Sequence, residues 1–282
     1  MIRLSRSAVA ALALAGALVS TGCQKLQSRD NLNKGVQAYK SARYNDAVEY
    51  FKKAIELDDT NPNARLYLAT AYMTQWIPGA ESPENKALAE GARREFMTVL
   101  SKDPNDKTAL ASLASLSYNE ATSLSPEEKV KKFDEAREWH QKLLAVDPQN
   151  KESYYSLGVI AWAKWYPALM GARAKLGMKP EDPGPIKDKK VKEELTAKYS
   201  AIIEEGIKSL EKAIEIDPEY DDAMAYMNLL IRERADLADS ADAYKKDIDT
   251  ADMWVQKTLD TKKAKAAKAS AAAAANQISA DK

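Results

Sequence analysis

Apolar residues recur every three or four positions through most of this chain. Residues 44–57, YNDAVEYFKKAIEL, set Ala47, Val48, Phe51, Ala54 and Ile55 on one side of a helix, with charged residues between them. The same spacing returns at Ala92-x3-Phe96-x2-Val99, Ala136-x3-His140-x2-Leu143 and Gly206-x3-Leu210-x2-Ala213, and in a weaker form at Ala251-x3-Val255-x2-Thr258. Asp103-Pro104, Asp147-Pro148 and Asp217-Pro218 follow three of these segments, and proline cannot continue a helix. A second apolar pattern opens after each stop: ARLYLATAY from Ala64, ALASLASLSY from Ala109, SYYSLGVIAW from Ser153 and AMAYMNLLI from Ala223. The chain therefore reads as helix pairs, each with a first and a second helix.

The spacings are regular in one place and variable in another. Ala47 to Ala64, Ala92 to Ala109, Ala136 to Ser153 and Gly206 to Ala223 are each 17 residues. Within a pair the small anchors are 12 apart from Gly35 to Ala47, 23 from Ala69 to Ala92, 22 from Ala114 to Ala136 and 48 from Gly158 to Gly206. Insertions thus fall between the two helices of a pair and never between pairs. Some of the extra length predicts longer helix. Ser82-Pro83 and Ser125-Pro126 offer a capping serine followed by proline at the first helical position, and Glu128 completes a capping box with Ser125. An apolar stripe from Ile186 to Leu210 predicts one helix over about 187–216. The stretch 166–185, YPALMGARAKLGMKPEDPGP, is left as irregular insert, either a packed cover or a partner-binding flap.

The small residue, aromatic residue and A-x3-F-x2-A signature (Gly35, Tyr39, Ala47, Phe51, Ala54), with an acidic-Pro turn, resembles the tetratricopeptide repeat. The resemblance covers about 31–260. It implies an all-α fold, a right-handed α-solenoid of about five helix pairs with insertions in the turns between first and second helices. It also implies binding of a peptide or protein, without naming one.

The ends add a location. Arg3 and Arg6 precede an apolar run at Ala8–Val19, then Ser20, Thr21 and Gly22, the layout of a secretory signal peptide at residues 1–22. Cys23, the only cysteine, follows at once. LVSTGC resembles the bacterial lipobox, whose cysteine becomes the acylated first residue of the mature chain; Ser20 departs from it, standing where Leu, Val or Ile is usual. Ordinary cleavage before Cys23 would instead leave a free thiol, a liability in an oxidising compartment. Gln24 stands where Asp marks inner-membrane retention in enterobacterial lipoproteins, so the resemblance implies an outer-membrane lipoprotein on the periplasmic side. Residues 23–30 read as a tether and 261–282 as an Ala/Lys low-complexity tail.

Composition removes other roles. Forty-two basic residues balance 42 acidic ones, and no basic stripe points to nucleic acid. No Cys/His cluster or Gly-rich phosphate loop appears, so no metal, cofactor or small-molecule substrate is expected and an enzyme is not. His140, the one histidine, occupies an aromatic slot in a second helix and reads as a packed residue. The aromatics are the candidates for partner contact. Trp76 and Trp165 each precede a proline by two residues just past a first helix, with Trp162 one turn earlier and Tyr166 adjacent. Tyr39, Tyr72 and Tyr118 fall near the ends of successive first helices. All of these either anchor a partner or fill the seams between helices. The expected function is a non-catalytic scaffold. The alternative is a structural subunit of an envelope assembly machine of the pilus-biogenesis or outer-membrane-assembly lipoprotein type.

Overall fold

The computed structural model describes the backbone of residues 6–121 and 124–280 and the side chains of residues 22–121 and 124–273. Within them the regular elements are helices: α1 (Arg6–Lys40), α2 (Tyr44–Leu57), α3 (Pro62–Gln75), α4 (Pro83–Lys102), α5 (Lys107–Glu120), α6 (Pro126–Val146), α7 (Lys151–Lys175), α8 (Lys189–Ile216), α9 (Asp221–Arg234) and α10 (Ala241–Ala280), with one 3-10 turn at Ala235–Leu237. They form the five expected pairs, α1/α2 to α9/α10. Two compact units result, Met1–Ala136 and Arg137–Lys282, divided within α6.

The constant 17-residue spacing comes from one turn used four times. The backbone N–H of Asn61, Asp106, Asn150 and Tyr220 donates to the carbonyl of Asp58, Asp103, Asp147 and Asp217, three residues earlier, at 3.0–3.4 Å. The carboxylates of Asp58, Asp103 and Asp217 also accept from the backbone N–H two residues on, closing an Asx turn. Asn61, Asp106 and Asn150 then cap the next helix with their side chains. The turn that ends one helix therefore starts the next, leaving no room for an insertion.

The expected early starts of α4 and α6 are present. Ser82 Oγ accepts the Asn85 N–H at 3.1 Å. Glu128 N–H donates to Ser125 Oγ at 3.4 Å, and the Ser125 hydroxyl donates to the Glu128 carboxylate at 2.6 Å. In α8, Asp188 Oδ1 caps Val191 at 2.9 Å, two residues inside the expected start.

The insert differs from expectation. Residues 166–175 are helical and complete α7, which runs through Pro167. An interior proline costs about 3 kcal/mol, but Trp165, Leu169 and Arg173, at helical spacing, are all buried by the second unit's core, and that packing outweighs it. The helix stops at Gly177, whose φ of +70° permits a left-handed turn. Met178 N–H bonds Arg173 O, and Gly177 N–H bonds Ala174 O, a Schellman arrangement.

Only 176–188 is irregular, and it is fastened down. Arg173, 4% exposed, donates to Asp236 at 2.5 Å and to the carbonyls of Lys179 and Asp182. Gly184 N–H donates to the Tyr244 hydroxyl at 3.0 Å, and Ile186, 2% exposed, pairs its N–H with Asp236 O at 3.0 Å. The connection is thus packed against α7, the 3-10 turn and α10. The expected tether at 23–30 is likewise helical, and Ser28 is buried with its hydroxyl on Ala54 O at 2.8 Å. The tail continues α10, with Lys265 and Lys268 paired to Asp221 and Glu219.

Small residues let the paired helices approach. A Cβ added at Gly35 would lie 2.5 Å from Phe51 Cε1, and one at Gly206 would lie 2.5 Å from Ala161 Cβ. The second contact is the stricter, because an alanine Cβ has no rotamer to retreat to. Gly206→Ala should therefore lower stability by about 1–2 kcal/mol, overpacking outweighing the better helix propensity of alanine. Thermal unfolding checks this, and Ala161→Gly in the same chain should restore most of the loss.

Candidate functional site

In the first unit, α1, α3 and α5 are the first helices of their pairs, and an open groove of 580 Å³ lies along them. Val36, Tyr39 and Lys40 come from α1, Leu66, Tyr67 and Thr70 from α3, and Thr108 from α5. The floor is Phe51 of α2, 1% exposed, with the Tyr67 ring tilted over it at 5.8 Å between centroids. Tyr67 is 38% exposed, high for an aromatic residue so well supported on one face. The Tyr39 ring packs edge-on to Tyr44 at 5.3 Å, and its hydroxyl shares a hydrogen bond with Thr74 Oγ1 at 2.8 Å. The groove is thus largely apolar, with a rigid aromatic wall and one cation, Lys40, at its edge.

The other expected aromatics separate. Tyr72 fills the seam between α3 and α4, where a Cβ at Gly91 would come within 3.1 Å of its ring. Tyr118 packs against Phe133 at 5.4 Å, joining α5 to α6. Trp76 is half-buried at the end of α3, where its N–H bonds Tyr72 O. The turn after it is held by Asn85, which accepts the Ile77 N–H and donates to the carbonyls of Ile77 and Ala80, all at 2.8 Å. Trp165 is fully buried, so of its two readings it fills a seam and does not reach a partner. It is a core residue inside α7 because Pro167 does not end that helix. Cys23 is exposed on α1.

Trp162 and Tyr166 do come together. Their rings stack at 5.0 Å, and Tyr226 of α9 meets Trp162 edge-on at 5.6 Å. Trp162 Nε1–H donates to Glu233 Oε1 at 3.0 Å. Glu233 Oε2 is buried with no hydrogen-bond partner among the described residues. Burial pushes the Glu233 carboxyl up to about 7, and the neighbouring Asp236 adds to the rise while the Trp162 bond opposes it. Burial also raises Asp236, against the Arg173 guanidinium. His140, hydrogen-bonded through Nδ1 to Ser153 Oγ at 3.2 Å, is pushed down to about 4 by burial and is neutral at pH 7. Tyr67, Tyr226 and Glu233 were missing from the sequence-based candidates. Tyr67 has a signal, since it lies between Ala64 and Leu68, both buried, on the open side of α3. Glu233 lies in a charged run, IRERAD, with nothing to distinguish it.

Among the described residues, no three His, Cys, Asp or Glu side chains are grouped to hold a metal ion. No helix among them is long and apolar enough to cross a membrane.

Residues 31–61 match the tetratricopeptide repeat model, which places the first repeat on the end of α1 and on α2. No curated protein sequence matches the chain. A crystal structure of MamA superposes with a TM-score of 0.55 at 16% identity, covering 85% of this chain and 94% of MamA. MamA from Desulfovibrio magneticus RS-1, from residue 41 to its end, gives 0.50 at 17% identity, covering 84% and 96%. At such identity the likeness concerns the fold. The fold is the tetratricopeptide-repeat α-solenoid, an architecture suited to protein–protein interaction.

Glu233 supplies a pH test of the second unit. Between about 4.5 and 7 the folded chain keeps a proton that the unfolded chain has lost, so this group lowers stability as pH rises through that window. The thermal midpoint of the wild type should therefore fall relative to Glu233→Gln across it and run parallel above it. A difference independent of pH would contradict the raised carboxyl.

Proposed function

We propose that this protein is a non-catalytic scaffold that holds a peptide or protein segment in the α1–α3–α5 groove, from a lipid anchor on Cys23 at the periplasmic face of a bacterial outer membrane. The groove carries the reading. Phe51 and Tyr67 give a segment with apolar side chains a preformed aromatic surface, and rigid aromatics lose little entropy on contact. Lys40 adds a preference for an acidic group beside the apolar one.

The anchor rests on the basic, apolar and small-residue succession that ends at Cys23, and on its exposure. Acyl chains there would give firm attachment. Only residues 24–27 separate Cys23 from the buried Ser28, about 7–8 Å of helix at 1.5 Å per residue. An acylated Cys23 would hold the first repeat close to the bilayer rather than on a long leash.

Two measurements test the halves of this proposal separately. Peptide-library binding to the chain should yield ligands with apolar side chains, and Tyr67→Ala should weaken them by roughly tenfold or more while the chain keeps its helical circular dichroism at the binding temperature; unchanged binding would remove the groove from the argument. Fatty-acid labelling should mark the wild type and not Cys23→Ser, and equal labelling would remove the anchor.

A further inference from the structure

The fastened connection at 176–188 closes one side of a cavity of 400 Å³ in the second unit, within the range of about 300–1,000 Å³ usual for small ligands. The remaining walls come from α7, α9 and α10. Tyr166 and Tyr244 contribute rings, and Tyr166 is backed by the stacked Trp162 indole. Four carboxylates line the cavity, those of Glu181, Asp182, Glu233 and Asp236, against two guanidinium groups.

Both guanidinium groups are already engaged. Arg173 is held by Asp236 and two carbonyls, and Arg232 donates to Asp252 at 2.6 Å and to Asn228 at 3.2 Å. An entering anion would therefore meet two guanidinium groups already paired with carboxylates, and four carboxylates in the same wall. A neutral apolar group would leave Glu233 Oε2 as it stands, buried and unpartnered. A cation meets both needs: it pairs that oxygen, and it lies against ring faces that attract positive charge.

We propose that this cavity is a receptor for an organic cation, an alkylammonium or guanidinium group, with Glu233 as its counter-ion and Tyr166 as its aromatic wall. The site lies within the second unit and stands independently of the groove in the first. The Trp162 bond to Oε1 holds one side of the Glu233 carboxyl, and Oε2 is the oxygen without a partner among the described residues. Binding is coupled to a proton, because a cation and a proton compete for Glu233. The groups around it are Arg232 on α9, Asp236 in the 3-10 turn that follows, Arg173 on α7, Glu181 and Asp182 in the connection, and Tyr244 on α10. With the carboxyl near 7, affinity should rise roughly tenfold from about pH 6 to about pH 8.

The Trp162 indole N–H, assigned in a proton–nitrogen correlation spectrum by its loss in Trp162→Phe, reports directly on Glu233. The probes are n-butylammonium and an acetylated, amidated Gly-Lys-Gly peptide, with the same peptide carrying norleucine for lysine as the uncharged control. Both cations should shift the indole signal saturably, and the norleucine peptide should not. Glu233→Gln, which keeps an acceptor for the indole, should weaken binding at about pH 8 by at least roughly tenfold. Tyr166→Leu should weaken it several-fold. Tighter binding of the lysine peptide than of n-butylammonium assigns the guest to a side chain of a partner, and equal binding assigns it to a free amine. No saturable shift from either cation up to about 50 mM, an equal response to norleucine, or unchanged binding in Glu233→Gln would overturn the proposal.

Discussion

Close approach of paired helices at positions too narrow for a side chain is the constraint on which the rest of this structure depends. Gly35 receives the Phe51 ring, Gly158 receives Leu210, and Gly206 faces Ala161 at a distance that admits no further carbon. These contacts fix how deeply the α1/α2 and α7/α8 pairs interlock, and so which residues of their first helices are left facing outward. The groove in the first unit follows from them. Phe51 is drawn against Gly35, becomes the groove floor, and carries Tyr67 above it.

The repeated Asp turn complements this packing. It makes the connection between pairs both a stop and a start, and its first and last residues are joined by a backbone hydrogen bond in all four copies. Added length is excluded there and collects inside the pairs. The longest addition is absorbed in two ways. Part of it lengthens α7 and α8, whose extra turns bury Trp165, Leu169 and Leu195 in the core. The remainder is pinned by Arg173, a charge taken out of water and supported by a carboxylate and two carbonyls at once. A buried ion pair stabilises little when measured against an apolar replacement, but it fixes geometry well. Here it sets the one segment that the repeat pattern does not specify, and that segment completes a cavity with an underpaired carboxylate in its wall.

The groove and the cavity differ in how far they could be anticipated. Tyr39 was among the candidates because its place in the repeat marks the end of a first helix, and it does line the groove. Trp162 and Tyr166 were candidates through their neighbour Trp165, which is itself buried. Tyr166 nevertheless lines the acidic cavity, with Trp162 stacked on it. Tyr72 and Tyr118, read from the same rule as Tyr39, fill helix seams instead, because Gly91 and Phe133 lie opposite them. Repeat position tells which end of a helix a residue occupies, and the residue across from it decides whether it is covered.

The sequence by itself determined the helix pairs, their stops and caps, the constant linkage between pairs, and the placement of insertions. These depend on residues a few positions apart: the three-and-four period, Asp-Pro turns, and serine or aspartate caps. Only the tertiary structure decided that Pro167 stays inside a helix, that Trp165 is core, and that the irregular connection is a fixed wall. It also placed Glu233 beside Trp162, 71 residues away, and Asp236 beside Arg173, 63 residues away. The reason is that burial raises a carboxyl, and shields or exposes an aromatic ring, through neighbours brought from other helices. Those neighbours leave no periodic trace in the chain.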